Sequence, residues 1–420
     1  MIGRGKVDSI LKYDGLGFDM DHTFVRYRMR NFIKLIYECT AIYLVSKKNY
    51  PQDIFPLDDD DAKEKFRMYF RAVFDHKTGN LLKIGSNNLI MRGYHGFNML
   101  SRNEILSTYG KNPVIPDYEI LSSSHVDFTN LHEFYGVAQV PILAQIVNLK
   151  ATGNFEVLNK KSYYEIINDI FDGNEYNFAI PSLEEFQKRD FSGHFYPKFL
   201  SEPRSYLHKC SNELISKLQA LKAKGTKIFI ISNAYYQVAD LMMKEAMGSH
   251  WLDLFDFVVY LARKPGFFHN TENPPLFETL DGKPINNFEE FMYREKKGEE
   301  KVLIGGHAMH INNFMRTQIK KEYKVLFFGD TIVSDCVYAF DKVNDKNWDI
   351  VLILEELQEL ENGYKDKEYY NHWQYWGSAL MDKNIYSGVD KTIIFDFADN
   401  IAHRSFSLLD SKEALEFLTI

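Results

Sequence analysis

From about Leu207 onward the sequence alternates short apolar runs with amphipathic stretches, and that alternation restricts the fold more than any other feature. A helical pattern of Leu214, Leu218 and Leu221 ends at Gly225. The run Lys227 to Ile231 follows, then a helical stretch ending near Gly248 and a second run, Phe255 to Tyr260. Beyond a long polar insertion the pattern predicts a helix after Gly305-Gly306, a strand Val325 to Phe328, and a helix leading to a strand Ile350 to Leu354. A last strand is expected near Ile393 to Phe397, followed by a terminal helix. Strands alternating with helices imply an α/β fold built on a doubly wound parallel sheet. Such sheets place their sites at the carboxyl ends of the strands.

The rest of the chain has a different texture. The segment Gly17-Phe18-Asp19-Met20-Asp21-His22-Thr23 puts two aspartates just after a short apolar run. In Thr23 to Met29, Val25, Tyr27 and Met29 alternate with Arg26 and Arg28, which predicts a hairpin strand. From about Asn31 to Lys48 the spacing of Phe32, Leu35, Ile36, Cys39 and Ile42 is helical. The acids Asp58 to Asp61 stand where a helix would begin, since carboxylates favour the positive end of its dipole. Residues 80–200 read as a separate mixed unit of turns, aromatic segments and helices.

At 420 residues the chain is long enough for one large core plus an inserted or second domain. The hydrophobic fraction of 45% supports a packed interior. A net charge of -8 argues against a broad nucleic-acid surface, although a small anionic substrate needs only local positive charge. Cys39, Cys210 and Cys336 lie far apart with no metal-ligand spacing and read as reduced core residues. No charged-then-apolar leader and no apolar run long enough to span a bilayer stand out, so a soluble cytoplasmic protein is expected.

Chemistry-bearing residues recur at strand ends. Asp19 and Asp21 follow the first apolar run; there one carboxylate can attack a phosphoryl group while the other moves the proton. Ser232-Asn233 ends the strand 227–231, where a hydroxyl and free helix N–H groups can hold an anion or simply cap a helix. Ala262-Arg263-Lys264-Pro265 follows the next strand; the lysine can neutralise phosphoryl oxygens or belong to a solvated turn. Gly329-Asp330 ends the strand 325–328, with Asp335 one helical turn further. These acids suit Mg²⁺, and a cap is the plainer alternative. The four signals gain force together, because they occur in the order acid pair, hydroxyl, lysine, acid pair.

That order resembles the haloacid-dehalogenase-like phosphohydrolases. The segments GFDMDHTFVRY, FDHKTGNLLKI, YHGFN, IISNAYY, DLFDFVVYLARKPGFF and FFGDTIVSD are similar to the cytosolic purine 5'-nucleotidase family within them. The resemblance implies a haloacid-dehalogenase-like core of residues 1–30 and 204–420, with an inserted mixed α/β cap of residues 31–203. It implies Asp19 as nucleophile forming an aspartyl-phosphate, Asp21 as general acid and then base, Ser232 with Asn233 on the phosphoryl group, and Lys264 offsetting its charge. It implies Mg²⁺ held by Asp330, the Asp19 carboxylate and the Asp21 backbone carbonyl, with Asp335 in the outer shell. The segment Pro141 to Leu149 resembles the family helix that helps choose the base; charged residues are expected there, and this chain has Gln145 and Asn148.

Other features have two readings. His95-Gly96-Phe97-Asn98 can stack on and hydrogen-bond a base through Phe97 and Asn98, or form a turn with a buried ring. His307 and His310 have helical spacing but no third ligand nearby, which favours a structural role over a metal pair. The cluster Tyr369, Tyr370, Trp373, Tyr375 and Trp376 reads as packing or an interface. Two functions follow. One is a Mg²⁺-dependent phosphatase acting on nucleoside 5'-monophosphates or a related small phosphoester, as a possible homo-oligomer with no nucleic-acid or membrane partner. The other is a non-catalytic nucleotide-binding or scaffold protein retaining the fold. The intact acids, hydroxyl and lysine favour the first, because a cluster of like charges is costly to keep.

Overall fold

The computed structural model describes residues 7, 9–55, 70–115, 126–180, 186, 188–269, 272–293, 301–319, 322–337, 347–358, 380–383 and 389–419. The chain divides into two compact units, one of residues 1–27, 207–357 and 397–420, the other of residues 28–206 and 358–396. The family resemblance implies that residues 204–420 belong to the core; residues 358–396 group with the second unit.

Strands are numbered along the chain. The first unit holds β1 (Gly15–Phe18), β7 (Lys227–Ile231), β8 (Phe257–Tyr260), β9 (Phe277–Glu278), β10 (Val302–Gly305), β11 (Val325–Gly329), β12 (Trp348–Ile353) and β15 (Arg404–Phe406). They form one eight-stranded sheet in the order β15-β12-β11-β1-β7-β8-β10-β9. All neighbours run parallel except β9, which is antiparallel to β10. From β1 the chain moves outward through β7, β8 and β10, then returns to β1's other side with β11, β12 and β15. The reversal makes the carboxyl end of β1 a topological switch point, where open α/β sheets carry their sites.

β1 is short and wholly buried, and it lies between aromatic strands. Phe18 stacks on Phe328 of β11 with ring centroids 4.7 Å apart. A Cβ on Gly17 would lie 2.6 Å from the Phe229 ring and 2.8 Å from the Phe327 ring. Glycine is therefore what lets two phenylalanines cover the strand that carries Asp19.

The second unit holds β2 (Ala72–Asp75), β3 (Asn80–Ile84), β4 (Ile90–His95), β5 (Asn98–Met99) and β6 (Phe128–Leu131), an antiparallel sheet in the order β5-β4-β3-β2-β6. The hairpin of β13 (Met381–Lys383) and β14 (Val389–Lys391) belongs to the same unit. Its helices include Met29–Lys48, Phe134–Ala151 and Tyr163–Phe178. The Phe134–Ala151 helix buries Ala138, Val140, Ile142, Leu143, Ala144, Ile146 and Val147, so it is apolar nearly all round.

Two local expectations are corrected. Residues 23–29 do not form a hairpin strand: only isolated bridges join Asp21 to Val25 and Tyr27 to Leu207, and Met29 already begins a helix. Residues 393–397 are helical (Ile393–Ile401), and the last strand of the sheet is β15. Thr392 explains the second case. Its hydroxyl accepts the Phe395 N–H at 3.2 Å and its carbonyl accepts the Asp396 N–H at 3.1 Å, so a helix cap outweighs the strand preference of two isoleucines. β10 and the short edge strand β9 lie in the stretch whose sequence reads as a polar insertion. Among the described residues no helix is long and apolar enough to cross a membrane.

Candidate active site

The turn after β1 is held by its own side chains. The Asp19 N–H donates to the Phe328 carbonyl at 2.7 Å, which keeps the residue in register with β11. Asp19 Oδ1 accepts the Met20 N–H at 2.7 Å. The Thr23 hydroxyl donates to the Asp19 carbonyl and reaches the Asp21 carbonyl at 3.3 Å. The Phe24 and Val25 N–H groups both return to the Met20 carbonyl, and His22 takes a left-handed φ of 53° to close the loop. This compact turn is what replaces the expected hairpin strand. Asp21 is partly exposed, and its Oδ1 accepts the Tyr27 hydroxyl at 2.5 Å.

Ser232 and Lys264 come from neighbouring strands whose following loops are tied together. The Leu261 N–H donates to the Ala234 carbonyl, and the Ala262 N–H to the Ser232 carbonyl. Asn233 completes the tie: its Oδ1 accepts the Lys264 N–H at 2.6 Å, and its Nδ2 donates to the Lys264 carbonyl at 3.0 Å. Leu261 and Arg263 sit at φ of 47° and 60°, a region that costs about 1–3 kcal/mol for residues with a Cβ. The paired bonds hold that loop in place. The Lys264–Pro265 peptide is cis. Asn233 is itself exposed, and the Ser232 Oγ accepts the Ala234 N–H at 3.1 Å.

The acids after β11 are placed by a π-helical turn over Ile332–Val337. Asp335 is fully buried. Its Oδ2 accepts the Thr331 hydroxyl at 2.8 Å and the Thr331 N–H at 3.2 Å. Its Oδ1 pairs with Lys264 Nζ at 2.6 Å, and the same ammonium is 2.9 Å from Asp19 Oδ1. Lys264 therefore bridges two carboxylates. Asp19, Asp330 and Asp335 each bring a carboxylate oxygen within 4.8 Å of the others, and all three residues are buried.

The electrostatics follow from that crowding. Burial pushes the Asp19 carboxyl up to about 8; Lys264 pulls it down, and Asp335 and Asp21 push it up again. Burial also raises Asp21, against the hydrogen bond from Tyr27. Burial opposes the charge on Lys264, yet Asp19 and Asp335 hold it above the usual lysine range. One ammonium does not balance these carboxylates. The donor set fits a hard divalent cation: three buried carboxylates close together, all oxygen, with a net negative charge to offset. Both Asp335 oxygens are already engaged by Lys264 and Thr331. Asp19 and Asp330 are thus the carboxylates suited to touch the ion, with Asp335 behind them.

Asp19, Asp21, Ser232, Asn233, Lys264, Asp330 and Asp335 all lie in the first unit, at carboxyl ends of β1, β7, β8 and β11 or just beyond. Phe97 and Asn98 belong to the second unit, at the tip joining β4 to β5. Phe97 is half-buried and Asn98 exposed. Gly96 turns that tip at φ 59°, and a Cβ there would lie 2.9 Å from the Asn148 Cβ, so the tip rests against the Phe134–Ala151 helix. Gln145 on that helix is buried and donates to the Asp53 carbonyl at 2.8 Å.

His307 and His310 bind backbone rather than one another: His307 contacts the His269 carbonyl at 2.5 Å and accepts the Met309 N–H, and His310 reaches the Pro275 carbonyl. None of the three cysteines forms a disulfide; Cys39 and Cys336 are buried, and Cys210 is half-buried. Asp58 to Asp61 and the aromatic cluster 369–376 lie outside the described residues. Tyr27 and Thr331 are the contacts that sequence reasoning misses. In sequence Tyr27 looks like one face of an alternating strand, and Thr331 stands right after Asp330 in a strand-end loop, a position that could flag it.

The 5' nucleotidase family matches residues 9–385. The chain is 26% identical over 409 residues to 5'-nucleotidase domain-containing protein 1 of Bos taurus, covering 96% of this chain and 85% of that protein. It is 27% identical over 356 residues to 5'-nucleotidase domain-containing protein 1 of Homo sapiens, covering 83% and 73%. To 5'-nucleotidase domain-containing protein 2 of Rattus norvegicus it is 25% identical over 374 residues, covering 87% and 60%. With a match spanning most of its length, the chain belongs to the 5' nucleotidase family, as a phosphoric monoester hydrolase.

Proposed function

We propose that the chain hydrolyses nucleoside 5'-monophosphates through an aspartyl-phosphate on Asp19, with Mg²⁺ as cofactor. The observation that carries this reading is the buried bridge of Lys264 between Asp19 and Asp335, at the strand ends where Asp21, Ser232 and Asp330 also stand. Asp19 Oδ1 accepts from Lys264 and the Met20 N–H, which fixes the carboxylate for attack on phosphorus in line with the departing ester oxygen. Asp21 gives its proton to that oxygen as the O–P bond breaks. It then takes a proton from the water that attacks the aspartyl-phosphate, releasing inorganic phosphate and freeing Asp19. Lys264 and the Ser232 hydroxyl receive the charge on the phosphoryl oxygens.

Mg²⁺ would be held by the Asp19 and Asp330 carboxylates and the Asp21 backbone carbonyl, and it supplies positive charge against the phosphoryl oxygens. Burial works against the charge on Asp19, so positive charge from the ion would favour the ionised, nucleophilic form. The test is phosphate release from a panel of nucleoside 5'-monophosphates, with Mg²⁺ and with EDTA, for wild type and Asp19→Asn. Turnover that needs Mg²⁺ and disappears in the folded variant is expected. Turnover that survives EDTA, or that Asp19→Asn retains, contradicts the proposal.

A further inference from the structure

We propose that Tyr27 is a positioning residue for Asp21, one that fixes which carboxyl oxygen carries the transferable proton. This rests on the phosphatase reading above and adds a part to it. Tyr27 is 3% exposed, and its hydroxyl donates to Asp21 Oδ1 at 2.5 Å. The hydroxyl also lies 3.6 Å from the Met242 sulfur on the helix Tyr236–Met247, the helix that follows Ser232. The root of the side chain is held as well: Tyr27 bridges Leu207, and the Arg26 carbonyl next to it accepts the His208 N–H at 2.9 Å. The phenol is thus placed by contacts with two elements besides Asp21.

A carboxylic acid has one proton and two oxygens. A phenol donating to Oδ1 makes that oxygen the acceptor, so the proton of the acid form resides on Oδ2. Oδ2 is then the oxygen that gives its proton to the leaving ester oxygen and later takes one from water. The Tyr27 proton stays on the phenol throughout, and its bond to Oδ1 becomes charge-assisted when Asp21 ionises. Without the hydroxyl the carboxyl group is free to turn and to carry its proton on either oxygen. In the first step, geometry of this kind matters only when the leaving group needs a proton. An alkoxide such as a nucleoside 5'-oxygen needs one; p-nitrophenolate departs without help.

The test compares Tyr27→Phe with wild type on a nucleoside 5'-monophosphate and on p-nitrophenyl phosphate, both as kcat/KM, which reads departure of the ester oxygen and not the later attack of water that the two esters share. The ring and its packing stay; one oxygen is removed. A bond to a charged group is worth enough to predict a loss of about 10- to 100-fold on the nucleotide. The loss on p-nitrophenyl phosphate should be under about threefold, since no proton is required there. In an Asp21→Asn background, Tyr27→Phe should cost little more, because the two residues act as a unit. Equal losses on both esters, or a full additional loss in the Asp21→Asn background, would show that Tyr27 serves the fold alone. If wild type hydrolyses neither ester, the phosphatase reading fails and this role with it. If wild type hydrolyses both and Tyr27→Phe slows them equally, only the role of Tyr27 falls.

Discussion

One absent methyl group lets Asp335 reach Lys264. A Cβ on Gly329 would lie 2.4 Å from the Asp335 Cβ and 2.7 Å from its Oδ2, inside any tolerable contact. The π-helical turn brings Asp335 back over the end of β11, and only glycine leaves room for it. Gly329→Ala should therefore displace Asp335, loosen the Lys264 bridge and lower kcat by about 100-fold, the cost of a misplacement near 1 Å at a reacting centre. Circular dichroism should stay near wild type, since the change sits at a strand end. Wild-type kcat from a folded Gly329→Ala protein would mean that the Asp335–Lys264 geometry does not matter to turnover. At this scale the strand-end positions of Asp19, Ser232, Lys264 and Asp330 are legible in the sequence, because each follows an apolar run that reads as a strand. The grip of Asn233 on the Lys264 backbone and the bond from Tyr27 to Asp21 are not. Both join residues whose side-chain aim depends on tertiary structure, and neither residue type announces the partner it will find.

Elements are legible where their period is clean. Leu214, Leu218 and Leu221 face inward from the helix Asn212–Ala223 at the expected spacing. The misread segments are ones where a side-chain hydrogen bond overrides pattern, as with Thr23 in the turn after β1 and Thr392 at the Ile393–Ile401 helix. The hairpin β13–β14 shows a longer-range case. Asp382 in β13 accepts Lys83 Nζ at 2.7 Å and two Arg92 contacts at 3.0 and 3.1 Å, pinning the hairpin to β3 and β4 of the same unit. Burial raises the Asp382 carboxyl, but Lys83 and Arg92 more than offset that and hold it below the ordinary aspartate range. Its contribution to stability is then present above the unfolded-state value and is lost as pH falls through the lower folded value. Asp382→Asn should destabilise the protein by about 1–3 kcal/mol, because it removes the negative charge that Lys83 and Arg92 share. It should also flatten the acid-side loss of stability below about pH 4. Denaturant unfolding at several pH values reads both, and an unchanged midpoint would make the hairpin's ion pairs irrelevant to stability.

On the scale of the molecule, strand order explains why residues distant in sequence meet. β1 lies between β7 and β11, so Asp19, Ser232 and Asp330 leave adjacent strands in one direction, and β8 adds Lys264 from the next position. That arrangement is legible, because alternating strands and helices force a parallel sheet and a parallel sheet gathers its carboxyl ends. The return of residues 358–396 to the second unit is not. It depends on ion pairs such as Lys83–Asp382, whose partners are far apart in sequence.

The chemistry assigned to Asp19 is open to a single measurement. The protein is mixed with a nucleoside 5'-monophosphate and Mg²⁺, quenched in acid during the first turnovers, and digested for peptide mass spectrometry. Phosphate should be found on Asp19, should disappear on treatment with hydroxylamine, and should be absent from Asp19→Asn. Turnover with no phosphorylated peptide, or phosphate fixed to a different residue, would contradict the assignment of Asp19 as the nucleophile.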